Sequence, residues 1–346
     1  MPSLTDAPVA VTGASGYLAS WVVHELLAAG ATVHATVRDP GNAAKVGYLN
    51  EMAESLPGSL ELFAADLLKE GSFADAFEGC EIVMHTASPF VLGKVKDPQR
   101  ELIDPALKGT RNALEQVNKT ESVKRVILTS SVAAIAGDNA DCADRGGTLS
   151  EKHWNESSSL EHNPYAYSKT LAEREAWKLA EAQERWRLVV INPAFIMGPS
   201  LPPTRKSGAS VTFMRQTIDG TFRQATFDQK NAWVDVRDVA AAHVEAARRD
   251  DAEGRHVLCS RVETMLEAGR IIERVLGSRV KVPLRAVPRW AAYVPAWING
   301  FTSQYVRRNV GHDFRFDNTR SIERLGIEYR PLKETLVDHA TQILDG

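Results

Sequence analysis

A glycine-rich turn near the N-terminus decides what kind of fold this chain makes. An apolar run, Val9–Thr12, leads into Thr12-Gly13-Ala14-Ser15-Gly16-Tyr17-Leu18-Ala19, and a helical pattern over Tyr17–Ala29 follows at once. The small residues sit in a GxxGxxA spacing. Glycines allow positive φ and let backbone approach a pyrophosphate, while the helix N-terminus behind them offers free N–H groups to an anion. The third small residue, Ala19, permits close packing of helix on strand. Strand, turn and helix, with the next strand ending about 20 residues later, are what dinucleotide binding requires. Thr12, Gly13, Ser15, Gly16, Tyr17 and Leu18 are therefore candidate cofactor contacts.

That next strand, Ala31–Val37, ends on Arg38-Asp39. An acidic residue at this strand end accepts hydrogen bonds from the adenosine ribose of NAD. Here an arginine stands first, and its guanidinium fork suits a 2′-phosphate. Lys45 follows as a second cation. The pattern predicts NADP(H), although Asp39 keeps NAD open.

Short apolar runs continue to alternate with helical stretches. Leu60–Ala64, Glu81–His85, Arg125–Thr129 and Leu188–Ile191 read as strands; Gly41–Ser55, Ser72–Glu78, Pro98–Asn118 and Pro164–Arg185 read as helices. This alternation predicts βαβ units and a doubly wound parallel sheet. The pattern loosens after Pro193, where Pro199, Pro202 and Pro203 break regular structure. A helix over Ser210–Asp219 and a return to sheet character near Ala232–Val236 follow. With 346 residues, the chain suits two domains or one large domain with an added lobe. The division predicted is a nucleotide-binding part, 1–192 plus 230–258, and a substrate lobe, 193–229 plus 259–346.

Several classes are set aside. The net charge is −3 with no run of one sign, which argues against nucleic acid and anionic membranes as partners. Cys80, Cys142 and Cys259 are odd in number and scattered, so neither a disulfide framework nor a zinc site is expected. The nine histidines form no HxxxH or HExxH pair, and no metal is expected. Met1–Asp6 does not read as a secretory signal, and Trp290–Ile298 is too short to span a bilayer. The expectation is a cytoplasmic protein, monomer or homodimer. Trp290, Tyr293, Trp297, Phe301 and Tyr305 have helix-like spacing and read first as core packing, second as a pocket wall or lid. Asp235 and Asp238 read as structural.

The chemistry is concentrated around Asn163-Pro164-Tyr165-Ala166-Tyr167-Ser168-Lys169. Asn163 is a good N-cap and Pro164 a good first helical residue. Tyr165 and Lys169 are then four apart on one helix face, whereas Tyr167 points elsewhere. An ammonium beside a phenol lowers its pKa and eases proton donation to a carbonyl oxygen. Upstream, Ser130-Ser131 closes a strand, at the carboxyl edge where parallel sheets bind ligands.

With these residues together, the chain resembles an extended short-chain dehydrogenase/reductase. It is most similar to the dihydroflavonol-reductase-like group, which includes cinnamoyl-CoA reductases and fungal and bacterial NADPH-dependent aldehyde and ketone reductases. The resemblance rests on the turn at Val11–Tyr17, on Ala35–Pro40, Ala65–Leu67 and His85–Pro89. It extends through Thr129-Ser130-Ser131, Tyr165–Lys169 with Thr170-Leu171-Ala172-Glu173, Asn192-Pro193 through Gly198-Pro199, Val234–Asp238 and Leu325-Gly326. It implies a Rossmann-type α/β fold with a smaller, partly interleaved C-terminal substrate lobe. It implies that Asp66 and Leu67 contact the adenine, that Ala87 and Ser88 line the ribose side, and that Pro193 borders the nicotinamide. Arg38 and Lys45 match positions that hold the 2′-phosphate. The catalytic serine matches Ser131, with Ser130 as fallback, beside Tyr165 and Lys169. Ala106 stands where many members have an asparagine, so no fourth catalytic residue is assigned. Ala136 replaces the asparagine that faces the flavonoid in plant dihydroflavonol reductases. Pro164, Ala166 and Ser168 break the cinnamoyl-CoA reductase motif.

The function implied is reduction of a small-molecule aldehyde or ketone to an alcohol by NADPH. The alternatives are a hydroxysteroid dehydrogenase, epimerase or dehydratase on the same scaffold, which usually prefer NAD, and a non-catalytic NADP-sensing regulator, which would lose the Tyr–Lys pair.

Overall fold

The computed structural model describes Leu4 and residues 6–88, 95–202, 208–298 and 302–346. The first half alternates strand and helix: β1 (Val9–Val11), α1 (Tyr17–Ala28), β2 (Thr32–Val37), α2 (Ala43–Ser55), β3 (Ser59–Ala64), α3 (Ala74–Phe77), β4 (Ile82–His85), α4 (Asp104–Lys119), β5 (Arg125–Thr129), α5 (Asp141–Asp144), α6 (Pro164–Glu181) and β6 (Arg187–Pro193). The rest comprises β7 (Phe195–Met197), α7 (Ala209–Ile218), β8 (Thr226–Phe227), β9 (Lys230–Asp235), α8 (Val236–Arg248), β10 (Gly254–Leu258), β11 (Arg261–Thr264), α9 (Met265–Leu276), β12 (Ala286–Val287), α10 (Arg289–Ile298), α11 (Ser303–Asn309), α12 (Thr319–Leu325) and α13 (Leu332–Asp345).

Seven parallel strands form the main sheet in the order β10-β6-β5-β4-β1-β2-β3. This is the expected Rossmann-type doubly wound sheet. Its central strands are buried on both faces, as their unbroken Val, Ile and Leu runs require. α1, α2 and α8 cover one face through Val22, Leu26, Leu49 and Val239. α3, α4 and α6 cover the other through Phe77, Leu114, Val117 and Ala176. Strand order reverses between β1 and β4, so the chains leaving these two strands diverge and open a crevice there.

The chain leaves the main sheet after Pro193 and comes back to it at β10, which pairs with β6. In between, β7 and β9 build a second sheet with β11, in the order β11-β9-β7. Trp233, Met214, Ile272 and Leu336 pack around that sheet. The sequence offered no strand at β7 or β10. The pattern over Pro98–Asn118 divides into a π-helical turn, Gln99–Ile103, and α4, and the helix expected over Ser72–Glu78 shortens to α3.

The aromatic segment corrects its first reading at Trp290 and Tyr293, while Tyr305 is half-buried and its hydroxyl accepts from Gln229 Nε2 at 3.0 Å. Trp290 is 83% exposed and Tyr293 40% exposed. α10 instead turns Ala292 and Ala296 inward against Val306 and Val310. The small residues, not the aromatic ones, carry the packed face. The Trp297 side chain and all of Phe301 and Pro203 lie outside the described residues.

Gly58 shows how tightly α1 and β3 are fitted. A Cβ on it would lie 2.4 Å from the Ala31 carbonyl oxygen and 2.8 Å from Leu27 Cα. Both obstacles are backbone. Gly58→Ala is therefore expected to destabilise the fold by about 1–3 kcal/mol, read as a lower urea midpoint. An unchanged midpoint would contradict this packing.

Candidate active site

The glycine turn is built for close approach. Gly13 has φ +68°, and a Cβ there would lie 3.1 Å from Ala87 Cβ. Gly16 occupies the N-cap of α1 with no side-chain cap, so the first-turn N–H groups are left for an anion. Thr12 ties this turn to the end of β4. Its Oγ1 accepts N–H bonds from Thr86 (3.1 Å) and Ala87 (3.0 Å) and lies 2.9 Å from His85 Nδ1. With both lone pairs used, the hydroxyl donates to Nδ1, which places the imidazole proton on Nε2. Burial, with the nearby Lys169 charge, lowers the His85 pKa to about 4. His85 is thus neutral and structural.

One predicted turn contact, Tyr17, and Trp21 one helical turn on also reach the second half of the chain. Tyr17 donates its hydroxyl to the Gly198 carbonyl at 2.6 Å, and its ring stacks on His339. Trp21 Nε1 donates to the Pro199 carbonyl at 2.8 Å. Leu18 is buried beneath the turn. Ser15 lies half-buried on the turn itself.

At the adenosine end, Arg38 and Lys45 are both exposed. Neither makes an ion pair among the described residues. Asp39 is occupied differently: its Oδ1 accepts the Gly41 N–H at 3.0 Å. The acidic group therefore caps its own turn, while the guanidinium stays open to solvent. Asp66 accepts the Leu68 N–H through Oδ1 at 2.9 Å, and Leu67 is gripped by α4, where Gly109 leaves the space for its side chain. These residues fit a nicotinamide dinucleotide with a 2′-phosphate: a positive-φ cradle, an uncapped helix N-terminus and a free cation pair.

The candidate catalytic residues gather at the carboxyl edge of β5. Ser131 and Tyr165 share a hydrogen bond between side chains. Ser131 also accepts the Ala133 N–H at 3.1 Å, which orients its Oγ. Asn163 caps α6 in the left-handed region, φ +53°, and donates through Nδ2 to the Gly137 carbonyl at 2.7 Å. That bond presents Tyr165 to the serine loop. Lys169, one turn on, has Nζ 3.0 Å from Ser88 Oγ and 6.0 Å from the Tyr165 ring centroid. Pro193 is buried at the end of β6, in register with Leu258. Ser130, the fallback, points away, donating to Glu173 Oε2.

One electrostatic expectation is reversed. Burial pushes the Tyr165 phenol up to about 12, against the opposing effect of the Ser131 hydrogen bond. Burial likewise brings Lys169 down to about 8, against the Glu173 charge. At the phenol, burial outweighs the Ser131 hydrogen bond, and at the ammonium it outweighs the Glu173 charge.

The sequence profile of the NAD dependent epimerase/dehydratase family matches residues 9–259. The chain belongs to that family. Cinnamoyl-CoA reductase CAD2 of Medicago truncatula is 44% identical over 78% of this chain and 81% of its own length. Tetraketide alpha-pyrone reductase 1 of Arabidopsis thaliana is 35% identical over 97% of this chain and 95% of its own length. Among solved structures, yeast methylglyoxal/isovaleraldehyde reductase complexed with NADPH has a TM-score of 0.78 at 28% identity, covering 98% of each chain. Within the epimerase/dehydratase family, this chain is an NAD(P)-dependent reductase.

Other polar groups around the site escaped sequence reasoning. Asp138 accepts from His162 Nε2 (2.8 Å), Arg308 Nε (2.8 Å) and Asn309 Nδ2 (2.7 Å). This one carboxylate joins the loop after Ser131, the loop before Tyr165 and helix α11. Asp235 and Asp238 are structural, as expected: Asp235 caps α8 and pairs with Arg237, and Asp238 holds Arg330. Among the described residues, no helix is long and apolar enough to cross a membrane.

The depressed Lys169 pKa carries a stability prediction. In the unfolded chain a lysine titrates near 10.4. Below about 8 both states hold the proton and the burial penalty is complete. Between the two values the unfolded state binds more protons, so wild-type stability rises with pH. Lys169→Met should therefore melt above wild type at pH 7, and the gap should narrow from pH 8 towards 10.5. Thermal melts across that range check this; a gap independent of pH would refute it.

Proposed function

We propose that this protein is an NADPH-dependent carbonyl reductase that converts an aldehyde or ketone to an alcohol. The observation that carries the reading is the shared hydrogen bond of Ser131 and Tyr165 at the carboxyl edge of β5, with Lys169 behind. Two hydroxyls converge there on one spot where a carbonyl oxygen fits. Reduced nicotinamide, when bound, supplies the hydride. Tyr165 supplies the proton: its raised pKa keeps the phenol fully protonated at neutral pH, and a developing alkoxide is basic enough to take it. Ser131 holds the same oxygen. Lys169, tethered at Ser88, binds the nicotinamide ribose. All of these groups act where negative charge develops, which is where fixed donors accelerate most.

The cofactor would lie across the crevice between β1 and β4. Its pyrophosphate would rest on Gly13–Leu18 and its 2′-phosphate on Arg38 and Lys45. The engagement of Asp39 with Gly41 supports NADP over NAD, and the yeast relative, solved with NADPH, supports it independently. The substrate would enter from the lobe of residues 193–229 and 259–346. Named substrates of the relatives range from cinnamoyl-CoA to methylglyoxal, and the reading here commits only to a mostly apolar carbonyl compound. Dihydroflavonols should be poor substrates, because Ala136 offers no hydrogen bond.

Tyr165→Phe should lose about 10²–10⁴-fold in kcat while still binding NADPH, and Tyr167→Phe should stay active. Steady-state rates on a panel of aromatic, aliphatic and α-dicarbonyl compounds test this. A near-normal Tyr165→Phe enzyme would end the assignment. Arg38→Ala should weaken NADPH by about one to two decades and leave NADH almost unchanged, corresponding to roughly 1.5–3 kcal/mol for a charge-assisted contact. Fluorescence titration with both cofactors measures it, and an equal effect on the two would count against a 2′-phosphate site.

A further inference from the structure

Glu173 is 1% exposed, lies one turn beyond Lys169 on α6 and has no part in the chemistry above. Its carboxylate is saturated with donors from three neighbouring strand ends. Ser130 Oγ (2.5 Å), after β5, and Asn192 Nδ2 (2.7 Å), on β6, both reach Oε2. Arg255, on β10, reaches Oε1 through Nε at 2.5 Å and Oε2 through Nη2 at 3.4 Å. Trp177 Nε1 adds a bond at 3.3 Å from α6 itself.

Two of these partners bear on Ser131. Ser130 is its chain neighbour. Asn192 Nδ2 also donates to the Ser131 carbonyl at 3.2 Å, while Asn192 Oδ1 is buried with no hydrogen-bond partner among the described residues. A buried orphan acceptor is unfavourable, so the amide is held in this orientation by the carboxylate and the Ser131 carbonyl together. Arg255 extends the same grip to the carbonyls of Glu151 (2.9 Å) and His153 (2.6 Å), with its guanidinium 4.0 Å above the Trp154 ring.

We propose that Glu173 is a positioning residue for the reduction: through Ser130 and Asn192 it fixes Ser131 against Tyr165, and along α6 it keeps Lys169 in place and charged. This rests on the reductase reading. Among the described residues, the charged and titratable groups facing Lys169 are Glu173 and Tyr165 from its own helix and His85 from β4; Thr110 of α4, Thr129 and Ser130 line the cavity beside it. His85 is neutral, so Glu173 is the one anion among these groups. Its negative charge opposes the burial that drives Lys169 towards the neutral form.

A structural ion pair and a positioning residue are separated by removing the pair whole. Glu173→Gln alone strands a buried Arg255 and should melt well below wild type. Glu173→Gln/Arg255→Met removes both charges and should recover most of that loss. If Glu173 positions the site, the double variant still loses about tenfold or more in kcat. The alkaline limb of its pH profile moves to lower pH by about half a unit or more. Its NADPH Kd, titrated by fluorescence, matches wild type near pH 6 and weakens above pH 8. Asn192→Ala, which keeps the ion pair, should lose kcat several-fold with its pH limb unmoved, and it serves if the double variant folds poorly. A double variant with wild-type kcat and an unmoved alkaline limb overturns the proposal, as does an Asn192→Ala enzyme of full activity. Failure of the wild-type protein to oxidise NADPH with any carbonyl compound would instead remove the reductase reading.

Discussion

A single buried hydroxyl, Thr12 Oγ1, sits where the fold needs it most. β1 and β4 are adjacent and parallel, yet the segments that follow them turn opposite ways. The ladder between them ends with the Thr12 N–H on the Met84 carbonyl, and beyond it the two exits need another tie. The Thr12 hydroxyl supplies it, accepting two N–H groups from the β4 exit and donating to His85. The glycine turn therefore starts from a fixed point, and the crevice it borders has a defined width. Loss of that hydroxyl would leave two backbone N–H groups and a buried imidazole nitrogen unsatisfied together, each a penalty of about 1–3 kcal/mol.

From this fixed point the site extends in two directions, each governed by different physics. Towards β2 and β3 the groups are exposed, charged and loosely held: Arg38, Lys45 and Asp66 lie at the surface. That end suits recognition by charge, where solvent does not penalise the free state. Towards β5, β6 and β10 the groups are half-buried or buried and bonded to one another, and desolvation raises the Tyr165 titration and lowers that of Lys169. That end suits chemistry, which needs fixed donors in a dry setting. The parallel sheet joins the two by presenting all its carboxyl ends along one edge.

The division explains what could be read from the sequence. The turn at Thr12–Ala19, the pair Tyr165 and Lys169, and the strands from β1 to β6 depend on spacing within a few residues, and they were legible with boundaries close to those observed. Family resemblance separates Ser131 from Ser130, and in the structure Ser130 turns to Glu173. β10 was missed because Arg255 and His256 interrupt its apolar character; both are buried, and Arg255 finds its partner 82 residues away. A long-range pairing of that kind leaves no local pattern. The same limit explains the phenol. Neighbours at four-residue spacing are visible in sequence, but the depth to which a ring is buried is a property of the assembled fold. The aromatic segment failed for a simpler reason. Helix-like spacing marks a face without saying which face is packed, and close approach of α10 to α11 favours alanine.

The Asp138 cluster has a consequence for how such a protein accumulates change. Its carboxylate binds His162, Arg308 and Asn309, three residues drawn from two distant stretches of chain. A replacement in α11 therefore reaches the loop after Ser131 and the loop before Tyr165. Substitutions at these positions will not combine additively, since each alters the setting in which the next is judged. Exposed positions outside this set carry no such constraint, but this one contact must be inherited as a set.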